Sequence, residues 1–328
     1  RVIVVAHSMG GLVARYWLGP LGGAPYCRAL VTVGTPHRGA PKALDWLVNG
    51  ARLGGIAHPA ATEVLRGWPG LYDLLPRYRA VWCAERDAAV YPYELDGVAP
   101  AGFVAEARRS FAMHGEIEKA FTELSQRPAD QRPEVVALFA RGHATLGRAV
   151  WADGELRVVK DPDPQWLPNA GWRGDGTVPA ISAVPIELDE ERRSWRAVPE
   201  RHGPMAATPA VVEILKTFAS ASLAAVRGDT PDHPWLGLDL EGCVPAGEPV
   251  PVEARLYGAP AGPAAVWVRV KSLDDGNVRR QPCRMAETAD GWRAVLDPLP
   301  EGRYGVAVEA VNVPGVDRVR CVDMVAAV

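Results

Sequence analysis

Residues 2–18 read VIVVAHSMGGLVARYWL, and the fold turns on the middle of that run. Val2 to Val5 form a β-branched stretch with the composition of a buried parallel strand, and Leu12, Val13, Tyr16 and Trp17 recur behind it at helical spacing. Ser8, inside AHSMGG at 6–11, therefore stands at a strand-to-helix corner. Such a corner holds its central residue in a strained backbone, and bulky neighbours two residues away would collide as the helix folds back over the strand. Ala6, Gly10 and Gly11 meet that demand. The helix also aims free backbone N–H groups and the positive end of its dipole at any negative charge forming beside the hydroxyl. Because Ala6 replaces the first glycine of G-x-S-x-G, the weight of the motif depends on finding partners for the serine.

With 328 residues, 48% of them hydrophobic, the chain can bury a sizeable core and is expected to form two domains. A formal charge of −3 with scattered basic residues argues against nucleic acid as a partner. No stretch reaches the roughly 18 apolar residues of a membrane span. Five cysteines at 27, 83, 243, 283 and 321 show no C-x-x-C pair and no zinc spacing. They read as incidental thiols, with one bridge conceivable among Cys243, Cys283 and Cys321; their odd number favours a reducing, cytoplasmic compartment. Arginine outnumbers lysine, and alanine, glycine and proline are abundant, the bias of a GC-rich bacterial gene. The chain starts at Arg1, inside a motif, so the absence of a leader decides nothing about export.

Behind the first strand and helix, Ala29 to Val33 is a second buried-strand candidate leading into GTPHRGAPKAL. From about 56 to 131 the pattern turns helical and irregular and reads as an inserted cap. EVVALFARG after Pro133 is a third strand, AVWADGELRVV a hairpin with a D-G turn, and SWRAVP an edge strand. A helix follows RHGPM. The first domain is thus expected over 1–226 and a linker over 227–236. A small all-β, Ig-like sandwich over 237–328 is read from short alternating runs parted by Gly, Pro and Asp.

A serine hydroxyl becomes a useful nucleophile only beside a base that a third group orients. Asp175, in the glycine-bounded turn GDGTVP, follows the third strand region. His202, in ERHGPM, follows the next strand candidate. The other histidines suit the role less well: His7 lies within the elbow, His37 precedes the position the acid must occupy, and His58, His114 and His143 fall in or near the cap. His37 and Arg38 read as packing or surface residues rather than as the mouth of a site. The order Ser8, Asp175, His202 is that of α/β-hydrolases.

AHSMGGLVARYWL, LVTVGTPHRGAPKAL, YDLLPRY, GDGTVP and RHGPM together resemble the lecithin:cholesterol acyltransferase-like branch of the α/β-hydrolases, over roughly residues 1 to 225. The resemblance implies Ser8 as nucleophile, Asp175 as acid, His202 as base and the Met9 backbone N–H as one oxyanion donor, with no cofactor or metal. It implies a lipid-like ester as substrate, with water or an alcohol as acceptor. Trp68 and Trp82 of the apolar cap read as cover for an acyl chain or, as cap aromatics more often do, as packing of the cap's own core. In that fold further strands precede the elbow strand and supply a second oxyanion donor. This sequence lacks them, so Val2 to Val5 is expected to be an interior strand missing one neighbour. The expected architecture is therefore a partial α/β-hydrolase fold, mostly parallel, followed by the sandwich. The rival expectation is a catalytically incomplete scaffold whose sandwich binds a protein or glycan. The sandwich is also expected to be separable from the chemistry.

Overall fold

A computed structural model describes residues 1–53, 55–95, 97, 100–160, 173–189, 194–219, 233–260, 262–275 and 280–328. The chain opens with β1 (Val2–His7), α1 (Gly10–Leu18), β2 (Cys27–Val33) and α2 (Pro41–Val48). β1 lies parallel to β2, β2 to the strand Glu134–Ala140, and that strand to Trp195–Val198. This four-stranded parallel sheet is the frame of an α/β unit. Ala29, Leu30, Val31 and Val33 of β2 are all fully buried, as a parallel strand covered on both faces must be.

Helices supply both covers. On one face Ile214 and Phe218 of the helix Pro209–Ala219, together with Met205, pack on Val31, Val33, Val136 and Leu138. On the other, Leu18 of α1 and Ile117 and Phe121 of the helix Phe103–Ser125 pack on Ala6, Cys27 and Leu30. Among the described residues β1 pairs with β2 alone, which leaves it at the sheet edge with Val2 and Val5 exposed.

Residues 56–131, read from sequence as helical and irregular, hold the helices Pro59–Arg66, Pro69–Tyr72 and Phe103–Ser125. They also hold two three-residue strands, Val81–Cys83 and Ala88–Val90. Those strands join the hairpin Arg148–Ala152/Glu155–Val159 in one sheet, with Val81–Cys83 parallel to Arg148–Ala152. Asp153 and Gly154 both have positive φ, 54° and 78°, as a two-residue turn of the primed type requires. Leu44 and Leu47 of α2, Leu71, Phe103 and Ala149 share one core, so the insertion is rooted in the sheet's flank. Trp68 is largely exposed.

The C-terminal part consists of two sheets. One contains Trp235–Asp239, Val250–Tyr257, Gly291–Leu296 and Ala286–Thr288; the other contains Cys243–Val244, Val316–Ala327, Gly302–Val313, Ala265–Ser272 and Cys283–Arg284. Leu236, Val252, Val268, Val306 and Val325 meet in a single core between them. All five cysteines are free thiols, so the bridge considered for Cys243, Cys283 and Cys321 is not formed. The linker expected at 227–236 falls mostly outside the described residues. No described helix is long and apolar enough to cross a membrane.

Candidate active site

At the end of β1, Ser8 adopts φ 55°, the left-handed region that residues with a β-carbon rarely occupy. Its N–H donates to the Val33 carbonyl at 2.9 Å, which pins the corner to the end of β2. The small residue that the corner demands is Gly11, where a β-carbon would stand 2.1 Å from Thr35 Oγ1. At Gly10 nothing lies within 4 Å, so Gly10, contrary to the expectation from sequence, is not there for clearance. The first backbone bonds of α1 are donated by Gly11 to Ser8 and by Leu12 to Met9. The amides of Met9 and Gly10 precede that ladder.

The structure brings Ser8, His202 and Asp175 together. His202 Nε2 lies 2.9 Å from Ser8 Oγ, and Nδ1 lies 2.7 Å from Asp175 Oδ2. The serine O–H donates to Nε2 and the ring's Nδ1–H donates to the carboxylate, since an ionised carboxylate only accepts. Asp175 is 1% exposed. Its Oδ1 accepts the backbone N–H groups of Thr177 at 2.9 Å and Val178 at 2.7 Å, which leaves Oδ2 for the histidine. The loops are also joined through the main chain, His202 N–H donating to the Asp175 carbonyl at 3.0 Å.

Burial pushes the Asp175 carboxyl up, but the charge and hydrogen bond of His202 and the two loop amides outweigh it and hold the group below its ordinary value. For His202 burial pulls down, and the charge and hydrogen bond of Asp175 outweigh it and raise the imidazole above its ordinary value. A carboxylate that stays ionised and an imidazole made more basic are what general-base chemistry at a hydroxyl needs.

Three contributors were not legible as such in the sequence. His7 Nε2–H donates to the His202 carbonyl at 2.8 Å, and the two rings stand 4.8 Å apart. Gly34, with φ +58°, sits where a β-carbon would be 3.0 Å from Asp175 Oδ2 and 3.1 Å from His202 Nδ1. Arg201, beside His202 in the chain, is buried and reaches away from the serine to the C-terminal sheets. His37 is buried under α1, its ring nitrogens meeting Arg15 and Thr32, and Arg38 pairs with Asp189; both are packing or surface residues. Among the described residues no group of three or more His, Cys, Asp or Glu is placed to hold a metal.

Residues 1–51, which carry β1, the Ser8 corner, α1, β2 and α2, match the family described as PGAP1-like alpha/beta domain. The match supports a hydrolase-type α/β unit, in agreement with the parallel sheet. No curated protein matches the chain.

Proposed function

We propose that the α/β unit is a serine esterase, lipase or O-acyltransferase of the lecithin:cholesterol acyltransferase-like kind, acting on carboxylic, lipid-like esters through an acyl-enzyme. Ser8 Oγ attacks the ester carbonyl as its proton passes to His202 Nε2, and Asp175 holds the ring tautomer and steadies the imidazolium. The Met9 amide, at the start of α1, donates to the oxyanion. His202 then returns the proton to the departing alkoxide. A water or alcohol activated by the same nitrogen releases the acyl group. The observation that carries this reading is the unbroken run from Ser8 Oγ through His202 to Asp175 Oδ2, at 2.9 and 2.7 Å.

The test is covalent labelling with a fluorophosphonate, alongside hydrolysis of a p-nitrophenyl ester. Labelling is expected on Ser8 and should vanish with hydrolysis in Ser8→Ala; label on another serine, or turnover surviving the substitution, sinks the reading.

A further inference from the structure

The junction between the α/β unit and the C-terminal sheets is built from main-chain polar groups, and it lies directly behind the Asp175 and His202 loops. The peptide groups of Leu238, in the strand Trp235–Asp239, are shared with the first unit. Leu238 N–H donates to His143 Nδ1 at 3.0 Å, while its carbonyl accepts Ala144 N–H at 3.0 Å and Arg201 Nη1 at 3.1 Å. Gly237 permits this approach: a β-carbon there would stand 2.3 Å from the Gly142 carbonyl oxygen.

Arg201 is the centre of the junction. Its Nη2 donates to the Leu240 carbonyl at 2.8 Å, and its Nε pairs with the carboxylate of Asp323, in the strand Val316–Ala327. The guanidinium also fills the space over Gly176, where a β-carbon would fall 2.6 Å from Nη2. One buried cation, next in sequence to His202, is thus held by both C-terminal sheets and packed on the turn that carries Asp175. His143 does the same from the other side. It exchanges backbone hydrogen bonds with Gly174, its Nε2–H donates to the Pro199 carbonyl at 3.0 Å, and Nδ1 is left free to accept from Leu238.

From this geometry we infer that the C-terminal sheets are part of the catalytic apparatus, with Arg201 the positioning residue that locks the His202 and Asp175 loops in register through Leu238, Leu240 and Asp323. The inference rests on the triad reading above, and it replaces the expectation that the C-terminal part can be separated from the chemistry. A planar fork fixed at three points suits this task, because a charge of that kind left partly unpaired inside the protein is costly and the fork matches fixed acceptors. A small displacement of a catalytic group, even one caused by a change far from the chemistry, costs a large factor in rate.

The experiment uses the full chain, a small soluble p-nitrophenyl ester, and prolonged fluorophosphonate titration to count competent sites. Arg201→Lys keeps the charge but not the fork. Its kcat per titrated site is expected to fall by about 10²-fold with KM little changed. The acid limb of its pH profile should move to lower pH as His202 loses contact with Asp175. Lys42, Asp323 and His7, the other groups facing His202, are unaltered in that variant. Asp323→Asn, nearly isosteric, should lower kcat per site in the same direction by a smaller factor, and it decides the matter if Arg201→Lys yields no titratable sites. Wild-type kcat per site in Asp323→Asn, or in Arg201→Lys with an unmoved acid limb, overturns the inference, since a merely stabilising junction would change only the number of sites. Ser8→Ala separates the two levels. Turnover surviving in it defeats the triad itself, whereas a dead Ser8→Ala beside normal Arg201 and Asp323 variants defeats only the role of the junction.

Discussion

His7 hands its Nε2–H to the main-chain carbonyl of His202 at 2.8 Å, so the residue before the serine holds the residue whose Nε2 meets the serine hydroxyl. The elbow and the base loop are separated by nearly two hundred positions, and this hydrogen bond ties them independently of the side-chain relay. A net hydrogen bond is worth about 1 kcal/mol, roughly a fivefold change in rate. His7→Phe, which keeps a ring but no donor, should therefore lower kcat by several-fold to about tenfold in a protein that still folds. A full rate in steady-state assays would reduce His7 to a packing residue.

Gly34 is the floor under Asp175 and His202. With φ +58° and a would-be β-carbon 3.0 Å from Asp175 Oδ2 and 3.1 Å from His202 Nδ1, any side chain strains the backbone and pushes on both groups at once. Gly34→Ala should remain folded by circular dichroism while fluorophosphonate labelling slows by about 10²-fold. Labelling at the wild-type rate would show that the loops move aside without cost.

The titration behaviour of the pair has a definite sign. Under the proposed mechanism His202 must be neutral to accept the serine proton, and its value is raised by Asp175, so the acid limb of kcat/KM should lie above about pH 6.5. For stability, the raised His202 contributes fully below its unfolded value, and that contribution is lost as pH rises through the folded one. The lowered Asp175 contributes above its unfolded value and is lost as pH falls through the folded one. Asp175→Asn removes the charge that raises His202 and leaves burial in command. Turnover should fall by up to about 10⁴-fold, and the acid limb of the residual activity should shift down. An upward shift would mean that burial is not the opposing influence at His202.

What could be read in advance was local. The Ser8 corner, the Asp153-Gly154 hairpin and the strand after Pro133 each announce themselves within about ten residues, through turn chemistry or a β-branched run. The pairing of Val2–His7 with Cys27–Val33 was legible too, because a helix-bearing segment joins two consecutive buried runs. The pairing of Val81–Cys83 with Arg148–Ala152 was not legible, since three-residue strands show no period and the partner is more than sixty residues away. Nor was the role of Arg201. Its partners at Leu238 and Leu240 are carbonyls, which every residue possesses, so no side-chain pattern marks them. Gly10 and Gly11 looked equivalent in sequence, and only the position of Thr35 tells them apart.

The edge of β1 bears on solution behaviour. Val2 is 54% and Val5 43% exposed, Val13 of α1 is 64% exposed, and among the described residues only β2 pairs with β1. An unpaired strand edge flanked by apolar side chains is a template for further pairing, and a lysine there blunts it. Residues 1–328 should therefore associate with rising concentration, and Val5→Lys should reduce that association in sedimentation or light scattering. Equal association in both proteins would mean that this edge is not the sticking surface.

The two elbow glycines give a paired test of how α1 is seated. At Gly11 a methyl group would meet Thr35 Oγ1 at 2.1 Å, Cγ2 at 2.5 Å and Cβ at 2.7 Å. Thr35, in the loop after β2, is fully buried. Gly11→Ala should therefore cost about 1–3 kcal/mol, read from denaturant midpoints at constant slope. Gly10→Ala meets nothing within 4 Å and lies where φ is already helical; it should be neutral or stabilising by up to about 1 kcal/mol, through the stiffer unfolded chain. Thr35→Ala removes the two nearest atoms, and among the described residues Thr35 Oγ1 has no hydrogen-bond partner to lose. In a double-mutant cycle Gly11→Ala and Thr35→Ala should thus couple favourably, by about 0.5–3 kcal/mol, the second substitution making room for the first. Strict additivity would show that α1 shifts bodily to accept the methyl group, and the close seating of α1 on the loop after β2 would then not be what demands glycine at position 11.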